Sequence, residues 1–137
     1  MSLIKSRKRV RDFAEVFTPE WLVSDMVDLV DETARRLGSR VLEPSCGTGN
    51  FLAEILRRKM EECRSDDDVL QAVSDLWGID IQLDNVQETR ARLLDMAFPE
   101  EGEHRAKARA FLEAQIIHGD ALEQMKRWEE EEHEQEP

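Results

Sequence analysis

Three short apolar segments alternate with helical patterns along the chain, and each reaches an acidic residue at its carboxyl end. The segments are RVLE (40–43), LWGIDI (76–81) and AQIIHGD (114–120). Alternation of strands and helices favours a parallel sheet with right-handed crossovers, and such sheets bind ligands at the carboxyl ends of their strands. We therefore expect an α/β fold with one ligand crevice, at which Glu43, Asp80 and Asp120 meet.

Helical patterns surround these strands. Thr18 can cap a helix whose first residue is Pro19, and Gly38 suits the left-handed position that ends one. This helix of about five turns is expected to bury Leu22, Met26, Leu29, Val30, Thr33 and Leu37. Further helices are expected to begin near Asn50, Asp66, Leu83 and Ala121; the third of these stops near Pro99, and a charged stretch precedes the third strand.

The 137 residues suit one domain, at 15–128, between a basic arm (1–14) and an acidic disordered tail (129–137). The formal net charge is -12, although residues 3–11 contain five Lys and Arg residues and no acid. Phosphate contacts from Lys and Arg supply most non-specific affinity for nucleic acid. The chain alone is therefore not expected to bind nucleic acid tightly, and the arm is expected to be a solvated terminus.

The spacing of cysteine and histidine residues argues against a disulfide-rich or metal-binding protein. Cys46 and Cys63 form no Cys-x-x-Cys pair and the three histidines are scattered, so we expect neither a disulfide framework nor a metal site. No apolar run approaches the length of a membrane span, and we expect a cytoplasmic protein.

The turn after the first strand contains Gly47 and Gly49. Taken alone, two glycines at this position could indicate no more than a tight turn. The phosphate-loop pattern is absent, and the dinucleotide fingerprint fails because Leu52 occupies the place of its third glycine. A carboxylate at Glu43 would repel a phosphate but attract an ammonium or sulfonium group. Asp80 could accept hydrogen bonds from both ribose hydroxyls, and Asp120 could accept one from the exocyclic amine of a purine. S-adenosylmethionine combines all three features.

Four segments in order resemble a known family. EPSCGTGNF (43–51) closely resembles the cofactor loop of class I methyltransferases that modify the exocyclic amine of adenine in DNA, particularly modification subunits of restriction-modification systems. FTP (17–19), GIDI (78–81) and HGDAL (118–122) are similar to three further segments of that family. The resemblance implies a Rossmann-like class I methyltransferase fold, truncated after about three parallel strands with flanking helices, and S-adenosylmethionine as cofactor.

The resemblance also implies roles for individual residues. Thr18 and Pro19 would border the methionine moiety, while Ile81 would pack on the adenine ring. The full set of cofactor-binding residues that it implies is Thr18, Pro19, Glu43, Pro44, Ser45, Gly47, Gly49, Asn50, Phe51, Asp80, Ile81, Asp120, Ala121 and Leu122. Cys46 is interpreted as a small packed residue rather than a nucleophile.

The family's catalytic segment, Asn- or Asp-Pro-Pro-Tyr/Phe, is not found in this sequence. Its four prolines are not adjacent to one another, and it has no tyrosine. We assign no catalytic residue and expect the cofactor-binding part of a DNA adenine methyltransferase that is inactive alone and meets DNA through the complete enzyme. Two alternatives stay open: a non-catalytic S-adenosylmethionine-binding module that serves a partner subunit, and the cofactor half of a protein or RNA methyltransferase.

The family's sheet has its first strand at the centre, paired with a fourth strand on one side. Three strands alone would leave residues 40–43 as an unpaired edge with apolar flanks. We expect a homodimer, a complementary subunit on this edge, or a marginally stable fold.

Overall fold

The computed structural model describes residues 20–28 and 32–135, so Thr18, Pro19 and the basic arm lie outside the described residues. The helices are α1 (Glu20–Asp28), α2 (Asn50–Met60), α3 (Asp66–Ser74), α4 (Leu83–Ala97), α5 (Glu103–Gln115) and α6 (Ala121–Gln135), and the strands are β1 (Val41–Glu43), β2 (Leu76–Asp80) and β3 (Ile116–His118). A short 3-10 helix covers Glu32–Arg35. The described residues thus form an α/β fold with six α-helices.

The three strands form one parallel sheet in the order β1-β2-β3. Glu43 is aligned with Gly78, and Asp80 with His118. Leu76 and Ile79 of the middle strand are fully buried although they lie on opposite faces, as a strand covered on both sides requires. The predicted parallel sheet is confirmed.

Helix α2 packs closely on β2 because Gly78 has no side chain. A Cβ atom at Gly78 would lie 2.9 Å from Cδ1 of Leu52 and 3.1 Å from Cβ of Cys46. Leu52, Ile55 and Leu56 of α2 are fully buried, and each such side chain stabilises the fold by about 1.5–3 kcal/mol. The helix that follows the glycine turn is therefore held directly against the sheet.

A buried ammonium group lies at the amino end of the sheet. Lys59 is 0% exposed; its Nζ donates to the carbonyls of Arg36 and Ser39 and to Oδ2 of Asp75, the last at 3.2 Å. The Gly38 N–H also donates to Oδ2 of Asp75, at 2.8 Å. These bonds offset the cost of burying the charges and join α2 to the segments that precede β1 and β2.

Strand β1 is an edge of the described sheet, as expected. Leu42 is 37% exposed beside a groove of about 320 Å³. The groove is lined by Arg40, Val41, Leu42, Trp77 and Trp128. Trp128 is the contact that α6 makes here, with its ring edge-on to that of Trp77 at 5.6 Å between centroids.

The first helix differs from the prediction in phase and length. Leu22 and Met26, expected inside, are 36% and 41% exposed, whereas Val23 and Val27 are buried. Neighbouring apolar residues offer two helical faces of similar character, and packing against α2 selects the valine face. The described α-helix covers Glu20–Asp28, and Leu29 and Val30 lie outside the described residues. Residues 32–35 form a 3-10 helix, so the chain is not one continuous α-helix to Gly38. Gly38 does have the expected positive φ, 93°.

Two charged segments are helical where no helix was expected. Helix α5 occupies most of the charged stretch before β3 and buries Ala108, Leu112 and Gln115 against its neighbours. Helix α6 continues to Gln135, so the described part of the acidic segment differs from the expected disordered tail. Glutamate is a good helix former, and this run extends a helix already begun at Ala121. Leu83, expected inside, is 47% exposed at the start of α4.

No helix within residues 20–28 and 32–135 is both long and apolar enough to cross a membrane.

Candidate functional site at the carboxyl edge of the sheet

The carboxyl ends of the three strands and the turns that follow them meet at one edge of the sheet. The Cys46 N–H donates to the Ile79 carbonyl at 2.9 Å, which joins the first turn to β2. The Gly119 N–H donates to the Asp80 carbonyl at 3.0 Å, which joins the third turn to β2. The segments singled out in the sequence at 43–51, 78–81 and 118–122 are therefore neighbours, while the ligand roles of their residues stay predictions.

Gly47 and Gly49 have different tasks in the turn between β1 and α2. Both have positive φ, 54° and 87°. A Cβ atom at Gly47 would meet nothing within 4 Å, whereas one at Gly49 would lie 2.9 Å from Cγ2 of Thr89. Gly47 thus leaves an open approach to the backbone, and Gly49 allows the turn to pack on α4.

The Asp80 carboxylate is buried, 7% exposed, and is already bound by three protein donors. Oδ2 accepts from the Gly47 N–H at 3.0 Å. Oδ1 accepts from the Gln82 N–H at 2.8 Å and from Nδ2 of Asn85 at 3.2 Å. An ionised carboxylate offers about four acceptor positions, so about one is left for a ligand hydroxyl unless a protein donor moves.

Two buried polar residues of α4 complete this arrangement, and the sequence reading missed both. Asn85 and Thr89 are each 0% exposed. Thr89 Oγ1 donates to the Gly47 carbonyl at 2.9 Å, so both backbone groups of Gly47 are held by neighbouring elements. The available signal was their spacing: Asn85, Thr89 and the buried Leu93 follow one another at four-residue intervals, which places the polar pair on an apolar face.

Glu43 is half-buried at the start of the turn, where its Oε1 accepts from the Ser45 N–H at 3.2 Å. Burial raises the pKa of this carboxyl above its usual value, and the Ser45 hydrogen bond partly opposes that shift. Burial, with the nearby charge of Asp80 as the next cause, also raises the pKa of Cys46 to about 12. Cys46 is 6% exposed, and both features agree with a packed thiol rather than a nucleophile.

The third turn presents one carboxylate, Asp120, and one apolar side chain, Leu122, while Ile81 directly after β2 presents a second apolar side chain. Asp120 is exposed, and its Oδ1 accepts from the Glu123 N–H at 3.1 Å, which caps α6. Ile81 and Leu122 are 50% and 80% exposed. Exposed apolar side chains beside a polar crevice suit contact with a flat ring, although the capping role alone would explain Asp120.

The remaining predicted residues line the first turn or lie outside the described part. Pro44 and Ser45 are exposed, and Ala121 is half-buried at the start of α6. Asn50 and Phe51 are half-buried at the start of α2, where Oδ1 of Asn50 accepts from Arg92 and Phe51 packs against the core. Thr18 and Pro19 lie outside the described residues. Within the described ranges, no group of three or more His, Cys, Asp or Glu residues is arranged to hold a metal ion.

Comparisons with known proteins give one distant likeness. No protein-family model matches the chain, and neither does any curated protein. A solved structure described as "a modification subunit of a putative type I restriction enzyme from Vibrio vulnificus YJ016" is similar, with 26% sequence identity over 65% of this chain and a TM-score of 0.49. The matched region spans 18% of that subunit.

Proposed function

We propose that the chain binds S-adenosylmethionine at the carboxyl edge of its sheet, as the cofactor-binding part of a DNA adenine methyltransferase. The observation that carries this proposal is the hydrogen bond from the Gly47 N–H to Oδ2 of Asp80, at 3.0 Å. It joins the glycine turn that would receive the amino-acid part of the ligand to the acid that would receive its ribose.

The charges of the site favour a ligand with a positive centre. The Ser45 N–H donates to Glu43 and the Gly47 N–H donates to Asp80, so the two carboxylates both lie against the same short turn. A phosphate would be repelled there, while an ammonium or sulfonium group would be attracted. The sulfonium of S-adenosylmethionine supplies an activated methyl group when bound; the residues described here bind and orient the cofactor.

The choice of adenine in DNA as methyl acceptor rests on the sequence resemblance of residues 43–51 and its three companion segments. DNA would be held by the complete enzyme, because a chain with a net charge of -12 repels a phosphate backbone.

Calorimetric titration with S-adenosylmethionine and with its demethylated product tests cofactor binding directly. We expect heat and a thermal shift with both ligands. Glu43→Gln should weaken binding of the sulfonium ligand more than binding of the demethylated product, while Glu113→Gln, an exposed acid on α5, should change neither. Absence of both heat and thermal shift at millimolar ligand overturns the proposal.

One sequence feature favours a second candidate, a binding module that performs no chemistry itself. The chain has no adjacent prolines and no tyrosine, so the family's catalytic segment is not within it. Two observations distinguish the candidates: the coding frame after Pro137, and transfer of labelled methyl groups to DNA by the purified chain. A frame that continues into Asn-Pro-Pro-Tyr supports the enzyme part, whereas a stop codon there with no transfer supports the module.

A further inference from the structure

Asn85 and Thr89 of α4 are buried polar residues, and the side chain of each donates a hydrogen bond to a residue of the candidate site. A polar side chain is costly to bury unless it is hydrogen-bonded, and apolar residues would fill these positions on the face of α4 more cheaply. Nδ2 of Asn85 instead donates to Oδ1 of Asp80 at 3.2 Å, and Oγ1 of Thr89 donates to the Gly47 carbonyl at 2.9 Å.

The two residues act on different parts of the site. Asn85 and the Gln82 N–H both bind Oδ1 of Asp80, which fixes the plane of that carboxylate. Thr89 binds the carbonyl of Gly47 while its methyl group contacts Gly49, which fixes the turn. Asn85 and Thr89 lie one turn apart on α4, and this one helix therefore fixes the positions of both the Asp80 carboxylate and the glycine backbone.

We propose that Asn85 and Thr89 are positioning residues for a ribonucleoside that carries an amino-acid tail. Asn85 directs the open acceptor position of Asp80 toward the ribose hydroxyls, and Thr89 holds the glycine turn against the tail. This inference rests on the proposed function, because it takes S-adenosylmethionine or its demethylated product as the ligand.

The test separates the two halves of the ligand. Affinities are measured by calorimetry for the demethylated product and for its 2′,3′-dideoxy analogue, which lacks both ribose hydroxyls. Wild type should prefer the hydroxylated ligand by about tenfold or more, since a hydrogen bond to a charged acceptor is lost with the analogue. Asn85→Leu, similar in size but without a donor, should reduce this preference to about threefold or less.

Thr89→Val keeps the shape of the side chain and removes its hydroxyl. It should weaken both ligands by a similar factor, about fivefold to tenfold, and leave the preference for hydroxyls unchanged. Thr89→Ser keeps the hydroxyl and should restore most of the affinity. A loss of packing alone would not weaken Thr89→Val while leaving Thr89→Ser close to wild type.

Nuclear magnetic resonance of the wild-type chain provides a measurement that needs no variant. The side-chain amide signals of Asn85 should shift when the demethylated product is added, and less with the dideoxy analogue. Unmoved Asn85 signals, or an unchanged hydroxyl preference in a folded Asn85→Leu variant, overturn the inference while leaving cofactor binding intact. Failure of wild type to bind either ligand removes the proposed function itself.

Discussion

The backbone of Gly49 packs against the side chain of Thr89 so closely that a Cβ atom on the glycine would lie 2.9 Å from Cγ2 and 3.1 Å from Oγ1. No such contact exists at Gly47, where the same atom would meet nothing within 4 Å. Two glycines separated by one residue therefore serve packing and access respectively.

Gly49→Ala should lower the free energy of unfolding more than Gly47→Ala does. Both variants incur the left-handed backbone cost of about 1–2 kcal/mol, and Gly49→Ala adds an overpacking cost of about 1–3 kcal/mol against Thr89. Urea denaturation measures both. For ligand affinity the ranking should reverse, because the methyl group at position 47 occupies the open approach. Equal losses of stability would show that the contact with Thr89 has no energetic weight.

Asp80→Asn should destabilise the fold even without ligand. Each carboxylate oxygen accepts from a protein N–H, so the amide nitrogen faces a donor in either orientation. The expected loss is about 1–3 kcal/mol in chemical denaturation. Asp95→Asn, which removes the charge of an exposed carboxylate paired with Arg105, should cost about 1 kcal/mol or less. A loss at Asp80 no larger than that at Asp95 would contradict the observed hydrogen bonds.

Binding of the sulfonium ligand should depend on the ionisation of Glu43. Burial raises the pKa of this carboxyl above 4.5, so it holds its proton to higher pH than in the unfolded chain. Between 4.5 and the raised value, stability falls as pH rises, and Glu43→Gln should be at least as stable as wild type above this window. Only the ionised form attracts a sulfonium. The affinity ratio of S-adenosylmethionine to its demethylated product should therefore rise with pH through the window, and a flat ratio would separate Glu43 from the ligand.

Cys46 should react slowly with iodoacetamide in the folded chain. With a pKa of about 12, only about one thiol in ten thousand is ionised at pH 8, and the side chain is 6% exposed. Burial also raises the pKa of Cys63, but this residue is only partly buried and should be labelled first. Mass spectrometry of tryptic peptides gives the order. Rapid labelling of Cys46 without denaturant would mean that the first turn opens readily.

The edge at β1 should promote association with a second copy of the chain or with a partner subunit. The Val41 N–H donates to the carbonyl of Asp75, the residue before β2, at 2.8 Å. Successive residues of a parallel strand direct their backbone groups to opposite sides, so the backbone groups of Leu42 face away from β2. Leu42→Lys should shift sedimentation toward monomer. Phe111→Lys, at the same 37% exposure on α5, is the matched control. A wild-type chain that remains monomeric well above micromolar concentration would contradict association with a second copy.

Sequence patterns predicted the sheet well because its strands are apolar and end in distinctive turns. The helix α5 escaped prediction because only Ala108, Leu112 and Gln115 of its charged sequence are buried, too few to give a clear periodicity. The prediction of the buried face of α1 was wrong because apolar residues occur on two adjacent faces. Only the position of α2 decides which of these faces is buried.

In the candidate site, motif resemblance predicted the turns but not what holds them. Asp80 was expected to face a ligand. Its donor from Gly47 could not be foreseen because the fold brings it from a separate segment, whereas its donors from Gln82 and Asn85 are close in sequence. Asn85 and Thr89 look like solvent-facing helix residues by type. Only their alignment with Leu93 indicates otherwise.

The Lys59 ammonium joins the entries to β1 and β2 at the edge of the sheet opposite the carboxylates. Strand alignment is thus secured at one end of the molecule, and ligand recognition is concentrated at the other. Substitutions in the turns at the recognition end can change the chemistry of the crevice while Lys59 keeps the strands in register. Because the two tasks are separated, related sequences can acquire different ligand preferences in the turns while they keep the same fold.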